Sequence, residues 1–277
     1  MIIDFSIYEN FRTSWDKRRE SLIEIRQRCA DFTGTVFFFG DLHGLTAEAE
    51  YLRELLERIK ATKGKKLIVL MGDVVTFDAF SNFDGETLDD YTDDEIDATQ
   101  RLLGELIKYG QVIYIYGNHE TRLDRFLSRK LSGRSAIIRK LIGDWLKLKE
   151  KRLTSKVTLL TDWFVIIGDM LACHPDKGLG SPLRTAVSAG NYFRPRLPDV
   201  QKVVVAHTHN QGWCWAEKTQ VYELGAMCGT QDYATIAQGM RYKNLQYGGF
   251  AVANMRQGKT DFNSVEIRSF GYEKQWL

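Results

Sequence analysis

Three times between residues 35 and 119 a short apolar run ends in glycine and gives way at once to polar residues. The runs are 35–39, 67–71 and 112–116, followed by Gly40-Asp41-Leu42-His43-Gly44, Gly72-Asp73 and Gly117-Asn118-His119. Runs of that length without alternation predict strands buried on both faces. The intervening stretches, 47–59 and 93–109, carry apolar residues at helical spacing. Strand and helix therefore alternate, which predicts a largely parallel sheet with right-handed crossovers. Ahead of them, 10–32 reads as a charged helix whose Phe11, Trp15, Leu22 and Ile25 form one apolar stripe.

The grammar changes in the second half. Residues 121–151 predict two or three helices, and beyond 156 short strands crowd together at 157–160, 163–167, 170–173, 203–205, 221–224, 250–255 and 262–267. Gly168-Asp169 and Gln257-Gly258 read as hairpin turns between them. This half is predicted to be β-rich and mixed or antiparallel. With only four prolines and no low-complexity linker, the expectation is one domain over 1–277 with two layered sheets. It would carry the helix at 10–32, a helical insertion at 121–151 and a cap segment at 178–196.

Composition narrows this little. No apolar stretch approaches the roughly 20 residues of a membrane span, and residues 1–10 carry acids where a signal peptide carries bases. A cytoplasmic location with no membrane contact is the expectation. The four cysteines, Cys29, Cys173, Cys214 and Cys228, show no CxxC pairing and read as buried thiols. A net charge of +2 is not that of a dedicated nucleic-acid binder. Locally, however, 84–97 holds eight acids and no base, and 122–156 holds twelve bases against three acids. The acidic run reads as solvated loop and helix face, while the basic run reads either the same way or as a contact for an anionic substrate or partner.

All five histidines fall at strand ends, His43 and His119 in the motifs above, His174 after an apolar run, and His207 and His209 in Ala206-His207-Thr208-His209-Asn210. Five satisfied core histidines would bury polar groups at a cost on the order of 1 kcal/mol or more each. Together with Asp41, Asp73 and Asn118 they mix carboxylate, imidazole and amide donors. That set suits Mn, Fe, Zn or Ni rather than calcium. It also exceeds the four donors of a structural zinc, whereas two ions sharing a carboxylate use about seven.

With GDLHG, GDVVT, GNHE, CHPDKG and AHTHN in that order, the chain resembles the calcineurin-like metallophosphoesterases, and more loosely the phosphoesterases of phage and bacterial genomes. The resemblance implies a four-layer α/β/β/α sandwich of two mixed sheets with flanking helices. It implies two divalent transition-metal ions, Mn first, with Fe, Zn or Ni as alternatives. Asp41, His43 and His209 would hold one ion, Asn118, His174 and His207 the other, and Asp73 would bridge them. His119 would be the catalytic group beside the substrate.

Two positions depart from the family pattern: Thr76 stands where a second aspartate is usual, with Asp78 two residues on, and Ala206 replaces a glycine. Thr76 tunes the site from outside the ligands, or Asp78 substitutes for the aspartate. The arginines of protein serine/threonine phosphatases are absent: Tyr116 precedes Gly117, and no arginine follows Asp73 for many residues. Arg122, Arg184, Tyr192 and Arg194 remain as substrate contacts, the last three within the cap segment. Trp213 and Trp215 read as core or interface.

The expected function is hydrolysis of phosphate esters, with phosphodiesters such as nucleic acid or cyclic nucleotides preferred because His119 can assist a poor alkoxide leaving group. A phosphomonoesterase and a non-catalytic metal-binding scaffold are the alternatives. The expected partner is a phosphorylated substrate; the oligomeric state is left open.

Overall fold

The computed structural model describes residues 23–80, 91–122, 125–126, 155–178, 181–229 and 246–270. Most of the helical insertion at 121–151, and residues 10–22 of the predicted N-terminal helix, lie outside them; 23–29 are helical. The three glycine-ended runs become β1 (Gly34–Phe39), β2 (Lys66–Leu70) and β3 (Gln111–Ile115), paired in parallel and followed by β4 (Val157–Leu160). A hairpin of β10 (Gly248–Arg256) and β11 (Lys259–Phe270) adds antiparallel to β1, giving the order β11-β10-β1-β2-β3-β4. Helices α1 (Ala49–Ala61) and α2 (Thr92–Leu106) join the parallel strands as crossovers.

A second mixed sheet has the order β5-β6-β7-β9-β8. Its strands are β5 (Phe164–Ile167), β6 (Met170–Cys173), β7 (Lys202–Val205), β8 (Gln211–Ala216) and β9 (Thr219–Leu224), and α3 (Arg184–Phe193) packs on it. The layers explain the unbroken apolar runs. Phe37 and Phe39 pack with Leu55, Ile59, Leu103 and Leu106 of the helices, whereas Phe38 faces Val165, Met170 and Val204 of the second sheet. Alternate residues of one strand thus enter different cores. Each fully buried side chain of this size stabilises the fold by about 1.5–3 kcal/mol. A third core lies between that sheet and α3, around Ala186, Phe193, Val203 and Val205. The expected α/β/β/α order is therefore observed.

Three details differ from the sequence reading. Strand β8 was not expected, and its Trp213 and Trp215 are about half exposed on the sheet edge rather than core. The described part of the acidic run is not wholly solvated, because Glu95 is only 5% exposed. Cys214 is partly exposed, whereas the other three cysteines are buried. Among the described residues no helix is long and apolar enough to cross a membrane.

Candidate metal centre

The carboxyl ends of β1, β2, β3, β6 and β7 converge, and with them all eight strand-end residues. The backbone there is unusual: Asp41, His43, Asp73, His207 and His209 all have φ between 49° and 82°. Non-glycine residues in this left-handed region cost on the order of 1–3 kcal/mol each and cluster at functional sites. Ala206 is not among them, so the substitution of alanine for glycine carries no backbone penalty.

Neighbouring turns hold the strain in place. Asp41 and His43 donate backbone N–H groups to the carbonyls of Gly72 and Asp73 at 3.0 and 2.9 Å. The buried carboxylate of Glu120 accepts from Asp73 N, Val74 N, Gly117 N and the Tyr114 hydroxyl, at 2.8–2.9 Å. That one side chain fastens the Gly72-Asp73 turn to the Gly117-Asn118-His119 turn. Gly117 is required because a side chain there would strike Asp73.

The donors fall into two groups that share Asp73. On one side the Nε2 atoms of His43 and His209 lie 3.1 Å apart, and Asp41 Oδ1 lies 3.6 Å from His209 Nε2. Two nitrogens bound to one tetrahedral ion at about 2.0–2.1 Å would lie roughly 3.3 Å apart, so the spacing fits. On the other side His174 Nε2 lies 3.3 Å from Asp73 Oδ2 and 3.1 Å from Asn118 Oδ1. Ligand atoms of Asp73, His174 and His207 all fall within 4.8 Å of one another, as do those of His43, Asp73 and His119.

The surroundings also fit cations. Asp41 Oδ1 is buried without a hydrogen-bond partner among the described residues, which costs about 1–3 kcal/mol unless a ligand satisfies it. His174 donates Nδ1–H to the Met71 carbonyl at 2.7 Å, which aims the Nε2 lone pair inward, the usual posture of a metal-bound histidine. Burial opposes charge on His174, yet Asp73, followed by Asp41 and Glu120, raises its pKa to about 10. Burial also opposes charge on Asp73, but His174 and His119 hold its pKa well below the ordinary value. Beside Asp73 and Asp41 the pocket thus stabilises positive charge at His174 despite burial. Burial and the adjacent His174 push His207 down to about 4, leaving a neutral ring suited to ligation.

His119 sits at the rim with its ring edge on His43. Its Nδ1 meets the Thr76 carbonyl at 3.0 Å and its Nε2 meets Arg122 Nη2 at 3.1 Å. A carbonyl only accepts and a guanidinium only donates, so the ring is neutral with its proton on Nδ1. Burial, acting first, lowers the His119 pKa, against the pull of Asp73. Arg122 also donates to the Thr76 carbonyl and pairs with Asp78, so both lie beside the centre.

Thr76 is buried and gripped by Glu95 of α2, which accepts its N–H at 3.2 Å, the Phe77 N–H at 3.1 Å and the Thr76 hydroxyl. Of the remaining substrate candidates, Arg184 is exposed in the first turn of α3. Arg194 pairs with Glu217 in the β8–β9 turn, at the end of the sheet away from His207. Tyr192 is half exposed beside Trp163 and beneath the Arg196 guanidinium. The cap segment is thus mainly a helix covering the second sheet, and Tyr192 and Arg194 are not brought to the centre.

Sequence reasoning missed Glu95 and Cys228. Cys228 Sγ lies within 4.8 Å of ring nitrogens of His43 and His209. Two clefts open from the centre. One, of about 320 Å³, is lined by His43, Leu45, Thr76, Asp78, Tyr91 and Glu95. The other, of about 500 Å³, is lined by Gly117, Thr121, Trp163, His174 and Asp176.

The family model for calcineurin-like phosphoesterases matches residues 34–211. Comparison with curated proteins finds no match. Among solved structures, a hypothetical protein from Pyrococcus horikoshii OT3 is 14% identical, over 87% of this chain and 89% of its own, with a TM-score of 0.48. A metallophosphoesterase from Sphaerobacter thermophilus is 14% identical, over 86% and 89%, with a TM-score of 0.41. A single mutant of Vps29 from Entamoeba histolytica is 14% identical, over 86% and 99%, with a TM-score of 0.42.

Proposed function

The chain belongs to the calcineurin-like phosphoesterase family, and on that premise we propose that it is a dinuclear metal-dependent phosphodiesterase acting on nucleotides or nucleic acid. What supports the hydrolase reading is one observation, the two donor groups that share Asp73 beside His119. Asp41, His43 and His209 would hold one ion, Asn118, His174 and His207 the other, and Asp73 both. When bound, such a pair of ions supplies Lewis acidity on the phosphate oxygens and an activated water.

The chain's own residues do the rest. His119 stands next to Asn118, with Nδ1 anchored on Thr76 and Nε2 facing Arg122. An incoming phosphate anion competes with Nε2 for Arg122 and favours a proton on Nε2, which the ring then gives to the departing alkoxide. Arg122 is left to neutralise charge on the phosphoryl oxygens.

Preference for diesters rests on the two clefts. A phosphodiester carries a substituent on either side of phosphorus, and a cleft leaves the centre beside His43 and another beside His174. Tyr91 in the first and Trp163 in the second offer rings to a base or sugar.

The test is hydrolysis of bis(p-nitrophenyl) phosphate against p-nitrophenyl phosphate, after loading with Mn and assay of bound metal. Faster turnover of the diester is expected. Two ions bound with neither ester hydrolysed would overturn the enzyme reading, and a faster monoester would replace it with a monoesterase.

A further inference from the structure

We propose that Cys228 is a thiolate ligand of the ion held by Asp41, His43 and His209, so that this position selects a softer metal than the other. The proposal rests on the dinuclear reading above and deepens it. A second observation beside the same histidines points to a cation there: Asp41 is fully buried, and its Oδ1 has no hydrogen-bond partner among the described residues while lying 3.6 Å from His209 Nε2.

The segment that carries Cys228 is stitched to the first motif. Met227 N–H donates to the Gly40 and Asp41 carbonyls at 3.2 and 3.1 Å, and Glu48 N–H donates to the Met227 carbonyl at 2.9 Å. Gly229 N–H donates to the Thr46 carbonyl at 3.1 Å, and Cys228 itself bridges to Ala47. Every one of these partners lies within five residues of His43. The side chain is 4% exposed, and Sγ stays within 4.8 Å of ring nitrogens of both His43 and His209. A core cysteine would need no such tethering; a ligand does, because its reach is only one carbon beyond the backbone.

The chemistry follows from donor softness. Carboxylate, imidazole and amide donors alone suit Mn, whereas a thiolate moves the preference toward Zn, Fe or Co. Binding breaks the S–H bond and forms a metal–sulfur bond, with the proton released to solvent. The second group, Asp73, Asn118, His174 and His207, has no sulfur within it and keeps the harder preference. The two positions are therefore inequivalent, and a mixed-metal centre is the expected resting form.

The experiment is titration of chelator-stripped full-length protein with Co(II), followed by absorption spectroscopy and metal analysis. It uses wild type, Cys228→Ser, Cys228→Ala and the control Cys214→Ser. Wild type and Cys214→Ser are expected to bind two Co(II) and to show sulfur-to-cobalt charge transfer in the near ultraviolet, while both Cys228 variants lose that band and keep the visible bands of the ions. Zn(II)-over-Mn(II) preference at one position should fall by at least about tenfold in the variants, since even ligand-orienting contacts are worth 10–100-fold in affinity. Two Co(II) bound with no charge-transfer band in wild type, or a band that survives in both variants, overturns the thiolate while leaving the dinuclear reading intact. Failure of wild type to bind Co(II) overturns both. A Cys228→Ser protein that does not fold leaves the Cys228→Ala comparison and the wild-type band to decide.

Discussion

Glu95 holds Thr76 from three directions at once, by its backbone N–H, by its hydroxyl and through the N–H of Phe77. Thr76 in turn offers its carbonyl to His119 Nδ1 and Arg122 Nη1, at 3.0 and 3.1 Å. A carboxylate from helix α2 thus fixes Thr76, and through its carbonyl the His119 ring. Gly44 makes room for it, since any side chain there would strike the Glu95 carboxylate. Glu95→Ala is expected to keep both metals and lower kcat on diesters by about tenfold or more, because small misplacements of a catalytic group are costly. Metal analysis beside steady-state kinetics checks it; unchanged kcat would remove Glu95 from the positioning chain.

The same carboxylate should leave a mark on stability. Burial outweighs the hydrogen bonds from Thr76 and Phe77 and raises the Glu95 pKa above its ordinary value of 4.5. A folded-state pKa above the unfolded one contributes stability that is full below 4.5 and is lost as pH rises through the folded value. Glu95→Gln cannot titrate and should flatten that part of the profile. Urea unfolding in mildly acidic and mildly alkaline buffer is the check, and parallel pH profiles for wild type and variant would contradict it.

His119→Ala removes the proton donor while leaving the seven proposed metal ligands in place. Two ions should remain bound, and diester turnover should fall by about 10²–10⁴-fold, as for loss of a general acid. Activated monoesters, whose leaving groups need no proton, should fall less. Equal losses on both substrates would assign His119 to charge stabilisation instead.

What the sequence made legible was local. Gly40, Gly72 and Gly117 each end an apolar run, so the strand ends and their polar residues could be read one motif at a time, and the fold brings those motifs together. Glu95 could not be read that way. It stands in a run of acids, and only the packing of α2 turns it inward to meet a threonine 19 residues away. Cys228 carries no spacing to another ligand, and its place beside His43 depends on backbone hydrogen bonds that tie 227–229 to 40–48. Strand β8 was hidden by its exposed Trp213 and Trp215, which break the buried-strand pattern. The placement of Tyr192 and Arg194 was not legible either, because aromatic and basic composition does not reveal which end of a helix faces the centre.

Glu120 gives a stability prediction of unusual size for one side chain. Glu120→Ala would leave three backbone N–H groups and the Tyr114 hydroxyl, all buried, without their acceptor. At about 1–3 kcal/mol for each unsatisfied group, the loss should exceed that of an ordinary substitution and approach the roughly 5–15 kcal/mol total stability of a domain. Poor soluble yield or a strongly lowered urea midpoint is expected. A midpoint within error of wild type would show that the two turns do not depend on this carboxylate.

Metal removal should destabilise the protein only while Asp73 is present. Ligands that bind the folded state alone add about 2.7 kcal/mol at a hundredfold excess over Kd. Here the bound charge would also satisfy Asp41 Oδ1, which lacks a partner among the described residues. Chelation of wild type should therefore lower Tm by several degrees. In Asp73→Ala the carboxylate shared by both donor groups is gone, so ions should bind weakly and a chelator should change Tm little. That variant also loses the acceptor of the His119 N–H and the carboxylate that faces His174, and alanine keeps the left-handed φ of 49° that aspartate tolerates better, so its own Tm without metal should not exceed that of chelated wild type. Differential scanning calorimetry with and without chelator measures all four states. A chelator shift that persists in Asp73→Ala would place the stabilising ions outside this centre.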